Sequence, residues 1–299
     1  MSNYIASDTD LIAVANAIRT KGGTSAQLAF PADFVSAVNA IQTGGGSSNE
    51  DAIIQKTISG SYTNSNVTKV EQSIFYLCTG LTSVSFPNVT SIGYRGFNGC
   101  SNLVSASFPL LTSLGSEGFH ACSKLETINM PRLSAIPTNG FSKTKIPKAF
   151  WPGKKAGSSS FLDCKSLATA VVGTTDYAST FSGCTALTAV DLTNASNKIV
   201  SYCFNNDALL TTIILRGTNK ATLDNANAFN GTPFASGGTG GTIYIPKSLY
   251  DHLGDGSSSD YKAATNWSTI DGYGTITWAK IEGSVYENAY ADGTPIPTS

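Results

Sequence analysis

The chain has 299 residues, 41% of them apolar and 13% charged, with a formal net charge of −1. That is enough apolar material for one large domain or an extended array, and near-neutrality argues against nucleic acid or an acidic lipid surface as the principal partner. No apolar run approaches the ~20 residues that span a bilayer, so membrane insertion is not expected, and the N-terminus lacks the cationic and apolar regions of a secretory signal.

Two short helices are expected first. Leu11, Ile12, Ala15 and Ile18 share one helical face, which Ser7 or Asp8 can cap and Gly22-Gly23 ends. Pro31 stands at the start of the second, whose apolar positions are Phe34, Val38 and Ile41. About 40 residues carrying two short helices rarely make a stable core. Residues 1–42 are therefore expected to be a helical docking or oligomerisation segment, burying Leu11, Ile12, Ile18, Phe34, Val38 and Ile41 against a partner or against copies of themselves. A small independent helical hairpin is the other reading. Residues 43–49, containing TGGGSS, read as a flexible linker.

From residue 50 one phrase keeps returning. Phe75, Phe97, Phe119, Phe141, Phe161, Phe181, Phe204 and Phe229 follow one another at spacings of 20 to 25 residues. Three residues after Phe stands Cys78, Cys100, Cys122, Cys164 or Cys184; six after it stands Leu81, Leu103, Leu125, Leu167, Leu187 or Leu210. Nine and eleven after it come apolar pairs such as Val84/Phe86, Ile128/Met130, Val190/Leu192 and Ile213/Leu215. Self-similarity at this period is the signature of a solenoid, in which stacking turns each recurrent position into a buried row. The expected fold class is mainly β with short helices or turns: a leucine-rich-repeat solenoid of about seven or eight coils over 50–241. Alternation puts Val84 and Phe86 inward and Ser85 outward; 88–93 is a second short strand, and Phe-x-x-Cys a turn or short helix. A C-terminal cap and tail, 242–299, follows, with Trp267 and Tyr261 covering the last copy and TITWAKI forming a strand.

The stretch SIGYRGFNGCSNLVSASFP resembles the bacterial surface-protein type of leucine-rich repeat called BspA-like, over about residues 55–235. It departs from that family in having Gly96 and Gly118 before Phe where Ala is usual, and in a fourth copy, GFSKTKIPKAFWPGKKAG, that lacks both Cys and Leu. Residues 243–270 are similar to the segment that often closes such arrays. The resemblance implies adhesion or recognition rather than catalysis. Separately, DTDLIAVANAIRTKGGTSAQLAFPADFVSAVNAI resembles a short module at the start of tail and tail-associated proteins of phages and prophages of Gram-positive hosts. That implies a virion protein, docked to other virion proteins through 1–42, assembled in the host cytoplasm and released by lysis. Exported adhesins of the repeat family need a signal peptide, which this N-terminus lacks.

Six cysteines could mean disulfides or metal. Five of them share one register, no CxxC occurs, and His120 and His252 lie far apart in sequence, so small buried reduced thiols are expected and no metal. GxSxG, HExxH, P-loop and strand–helix GxGxxG patterns are absent, so neither a cofactor nor an enzyme is expected. A glycosidase needs two convergent acids, and a distant pair such as Asp191 and Asp207 stays open at this point.

Outward strand positions of a solenoid form one surface. Counting ten residues from each Phe gives Ser85, Ser107, Asn129, Trp151, Val171, Asp191 and Ile214. Trp151 lies among Lys143, Lys145, Lys148, Lys154 and Lys155, and no acid occurs between Glu126 and Asp163. One reading is a binding site for an anionic cell-wall polymer or a sugar, formed by Trp151, Lys148, Lys154, Lys155 and Asn129, with the indole stacking and lysines supplying charge. The other is a degenerate repeat whose Trp fills space. The expected function is a non-enzymatic virion-associated tail or fibre protein that recognises a host-surface glycan or protein. Alternatives are a bacterial cell-surface adhesin and a purely structural head or tail decoration protein. Self-association is expected, most simply as a trimer.

Overall fold

Apolar residues that recur once per coil can all be buried only if the coils stack in register, and they do. The computed structural model describes residues 56–297; the docking residues of 1–42 and the linker lie outside the described residues. The chain divides into two units, Met1–Ile58 and Ser59–Ser299, and the coils make up the second. Strands are labelled β1 to β15 in chain order. One parallel sheet runs β1 (Ser59–Thr63), β3 (Gly80–Ser85), β5 (Ser105–Ser107) and β7 (Thr127–Asn129). A second runs β8 (Lys148–Lys155), β9 (Thr169–Thr174), β10 (Ala189–Leu192), β12 (Thr212–Leu215), β14 (Gly241–Ile245) and β15 (Ile276–Lys280). On another side of each coil, two-residue strands pair in parallel: β2 (Lys69–Val70), β4 (Ser91–Ile92) and β6 (Ser113–Leu114), then β11 (Lys198–Ile199) and β13 (Thr222–Leu223). Partners match repeat for repeat, Val84 opposite Ala106 and Ala106 opposite Ile128.

The Phe, Cys and Leu rows expected to be inward are inward, while Ile128, expected inward with Met130, is only half-buried. Phe97, Cys100, Leu103 and their counterparts in the neighbouring coils are fully buried. The phenyl rings form a stack, with Phe75 to Phe97 at 4.7 Å and 4°, and Phe97 to Phe119 at 5.2 Å and 1°. All six cysteines are free and buried. They are not merely apolar filler, because four of the thiols donate to the Phe carbonyl of the coil before them: Cys100 to Phe75 at 3.0 Å, Cys122 to Phe97 at 3.1 Å, and Cys164 to Phe141 and Cys184 to Phe161 at 3.0 Å. In the fourth copy Thr144 takes the place of Cys and donates to Phe141 O at 2.7 Å. The glycines before Phe also have a cause. A Cβ on Gly96 would lie 2.4 Å from Ile92 Cγ2, and one on Gly118 2.4 Å from Leu114 Cδ1, so the branched residues of the short strands occupy the room a methyl needs.

The Phe-x-x-Cys segment is a turn rather than a helix. Residues two before and two after each Phe from Phe75 to Phe204 are left-handed, for example Arg95 and Gly99 at φ 57° and 75°, and Glu117 and Ala121 at 57° and 56°; at Phe229 a short 3-10 helix, Ala226–Phe229, takes the place of the first of the two. For non-glycine residues that conformation costs about 1–2 kcal/mol each. It is offset by the inter-coil bonds it makes possible: Arg95 N to Ser116 O at 3.0 Å, with Phe97 N to Gly118 O and Gly99 N to His120 O at 2.8 Å. Equivalent bonds recur from coil to coil, so the turns form a third ladder beside the two strand ladders.

At the far end the chain closes its own stack. Trp267, in the short helix α2 (Trp267–Asp271), packs 6.1 Å from the ring of Phe229 and donates Nε1 to Ala221 O at 2.8 Å. The Tyr261 hydroxyl accepts from Ala221 N at 2.8 Å. Helix α1 (Lys247–Tyr250) leads into this cap, and β14 and β15 continue the main sheet. Among the described residues no helix is long and apolar enough to cross a membrane.

Candidate binding groove

The main sheet is interrupted at one junction, and the cause is in the sequence. Ile146 stands five residues after Phe141, where other coils place Leu at six, so the fourth coil is one residue short and Ile146 fills the Leu row. The next residue is Pro147. At that place elsewhere an N–H ties one coil to the one before, as in Val104 N to Thr82 O at 2.8 Å and Glu126 N to Val104 O at 2.9 Å. Proline has no N–H, so it offers the Glu126 carbonyl nothing. Among the described residues, no backbone hydrogen bond joins 126–131 to 146–154; the pairing stops at Lys145 N to Leu125 O and resumes at Ile136 N to Lys155 O. Between the strands lies a groove of about 530 Å³, walled by Ile128 and Asn129 on one bank and Lys148, Phe150, Trp151 and Lys154 on the other.

The groove brings together four of the five residues expected to bind ligand, but not as expected. Trp151 is inward, not outward. It is 6% exposed, stacks 5.2 Å from Phe141, and spends its Nε1–H on Met130 O at 3.1 Å. The missing residue explains the reversal: a one-residue slip sends a side chain to the other face of a strand. In the observed register Trp151 lies opposite Val172, in the row of Phe108 and Met130, and Phe150 takes the outward place. Trp151 is thus a wall of the groove and no stacking platform. Asn129 is exposed and donates to Ser107 Oγ at 3.2 Å. Lys148 lies 3.5 Å from Asp292, and among the described residues Lys154 forms no ion pair within 4.0 Å. Lys155 turns away to Asp176 at 3.1 Å and the face of Tyr177, outside the groove.

The outward positions of the later coils are not a free surface either. Val171, Asp191 and Ile214 are all fully buried, and part of what covers this face is the C-terminal tail. Arg216 pairs with Asp191 at 2.7 Å and donates to the carbonyls of Tyr286 at 2.8 Å and Ala289 at 2.7 Å; Ala291 N donates to Asp191 Oδ2 at 3.2 Å. Tyr290 meets Phe150 edge-on at 5.5 Å and lies 5.4 Å from the Arg216 guanidinium. Burial raises the Asp191 pKa more than Arg216 lowers it. Sequence reasoning missed Phe150, Arg216 and the tail. The Phe-Pro pairs Phe86-Pro87 and Phe108-Pro109, continued by Met130-Pro131 and Trp151-Pro152, were the signal that would have fixed the register from the strand's end.

The two acids that could have served a glycosidase do not converge. Asp191 is outward beneath the tail, whereas Asp207 stands three residues after Phe204, in the interior row the cysteines occupy. Its Oδ1 accepts from Cys184 N at 2.8 Å, its Oδ2 has no partner among the described residues, and burial pushes its pKa up to about 9, which favours the protonated form at neutral pH. Among the described residues no group of three potential metal ligands occurs.

The family of BspA type leucine-rich repeat regions matches residues 55–168 and 174–236, in six copies. No curated protein matches the chain. Solved structures similar to it include the pneumococcal vaccine antigen PcpA, at 14% identity and TM-score 0.39, covering 68% of this chain and 78% of that one. A leucine-rich cell surface protein from Faecalibacterium prausnitzii matches at 14% and 0.28, covering 84% and 85%. A leucine-rich-repeat protein from Bacteroides ovatus matches at 14% and 0.21, covering 76% and 85%.

Proposed function

The chain belongs to the BspA-type leucine-rich repeat family, whose members are non-enzymatic repeat scaffolds for binding, and from that premise we propose that it recognises a host-surface glycan or protein through the groove between β7 and β8. One observation carries this reading. The array breaks its own strand pairing at a single short coil, and Asn129, Lys148, Trp151 and Lys154 meet at the break. The likeness of residues 8–41 to a phage tail module supports a virion as the carrier, assembled in the host cytoplasm, with 1–42 docked to other virion proteins. The second reading, a bacterial cell-surface adhesin, is favoured by the repeats themselves.

Labelled full-length protein should bind Gram-positive cells or an arrayed glycan saturably, and a Lys148→Gln/Lys154→Gln variant should lose that binding. No binding to either would refute recognition and leave a decoration protein. Immunogold labelling of lysates separates the carriers, on released particles for a virion protein and on cell envelopes for an adhesin.

A further inference from the structure

The groove is bounded by two strand edges, and strand edges seek strands. Among the described residues β7 pairs only with β5 and β8 only with β9, so each turns an unused edge toward the other across the gap. The groups left over follow from the regular coils. Phe86 N donates to Ser107 O at 2.9 Å and Phe108 N to Asn129 O at 2.8 Å; Met130 N, next in that row, has no backbone acceptor in the following coil. The Glu126 carbonyl, next in the row of Thr82 and Val104, receives nothing from Pro147. Unpaired edges of this kind are templates for an added strand. From Glu126 to Met130 the slot runs roughly 13 Å, at about 3.3 Å per residue. The bond from Lys145 N to Leu125 O closes one end, and that from Trp151 Nε1 to Met130 O closes the other.

Chemistry selects the occupant. A sugar would want an exposed aromatic face, but Trp151 is buried on the Phe stack and Phe150 is met by Tyr290. What the walls offer instead is backbone donors and acceptors, the apolar side chains of Ile128 and Phe150, and the charge of Lys154, with Lys148 beside it shared with Asp292. Glu126, also in the lining, is already engaged by Lys145 at 2.6 Å. Resting on the surface-recognition reading above, we infer that the groove accepts a short extended segment of an acidic protein partner, about four residues long, as an added strand between β7 and β8.

The test uses the full chain, the blocked tetrapeptide Ac-Asp-Val-Glu-Val-NH2, the same peptide N-methylated at alternate residues, and polyglycerol phosphate. The unmodified peptide should bind and slow hydrogen exchange at the amides of Ile128, Met130 and Phe150. Alternate N-methylation removes strand donors and should weaken binding about tenfold or more, the loss of one or two hydrogen bonds. Lys154→Gln should weaken the acidic peptide but not a neutral Val/Thr peptide of equal length. Equal binding of the methylated peptide, or unchanged exchange at the three amides, overturns strand addition. Polyglycerol phosphate binding without peptide binding overturns it too, while leaving the surface-recognition reading intact. If peptides, polymer and cells all fail to bind, the inference falls together with that reading.

Discussion

Asp207 puts a carboxyl where the other coils keep a thiol, and its replacement is the sharpest test of the register. The group is fully buried, with one oxygen unpartnered, and its pKa is pushed up to about 9 by burial. In the unfolded chain a carboxyl ionises near pH 4. Below that pH both states are protonated and the titration contributes nothing to stability. As pH rises toward 9 only the unfolded state gives up its proton, so stability falls by about 1.4 kcal/mol per pH unit. Over some three pH units this amounts to a penalty on the order of 4 kcal/mol at pH 7. Asp207→Asn removes the titration with little change of shape, and Asp207→Cys restores the residue of the row. Both should be more stable than the natural chain at pH 7.5 and closer to it at pH 4.5, with the fall in stability between pH 5 and 8 reduced by about 1 kcal/mol per pH unit. Urea melts followed by circular dichroism across that range measure this. Parallel pH profiles for the natural chain and Asp207→Asn would refute the buried, protonated carboxyl.

Three further outcomes are expected. Leu103→Ala, at a fully buried row, should cost about 2–5 kcal/mol, and Ser107→Ala, on the outward side of the same coil, less than about 0.5 kcal/mol in the same melts. Arg216→Ala leaves the buried Asp191 without its cation, so it should destabilise the chain by about 3 kcal/mol or more and speed hydrogen exchange at 286–291, whereas the paired change Arg216→Met/Asp191→Leu should recover much of the loss. Light scattering of the full chain should give a three-chain mass, and a monomer would refute self-association through 1–42.

The rows of the solenoid were legible because a repeat protein writes its core locally. Phe97, Cys100 and Leu103 are separated by three residues each, and the same offsets return within 25 residues. The candidate site was half legible. Lys148 and Lys154 drew notice as cations in a nearly neutral chain, and Asn129 by its place in a row. The face of Trp151 was misread because counting forward from Phe141 assumes a coil of constant length. The cover on the later coils left no trace in the sequence, since Arg216 reaches Tyr286 and Ala289 across 70 and 73 residues with no periodic pattern to announce it.

The turn ladder has an electrical consequence. The carbonyl of Tyr94 and the N–H of Arg95 belong to one peptide unit; the first accepts from Ser73 in the coil before, and the second donates to Ser116 in the coil after. The same holds for the units joining Gly96 to Phe97 and Asn98 to Gly99. Three peptide dipoles per coil, each about 3.5 D, therefore point along the stack in the same sense and add as they do in a helix, but with the opposite polarity to one. The partial negative charge gathers toward the first coils and the partial positive charge toward the last. Lengthening the array by a copy extends these columns without cancelling them, so its two ends differ in potential even though the whole chain carries a formal charge of only −1.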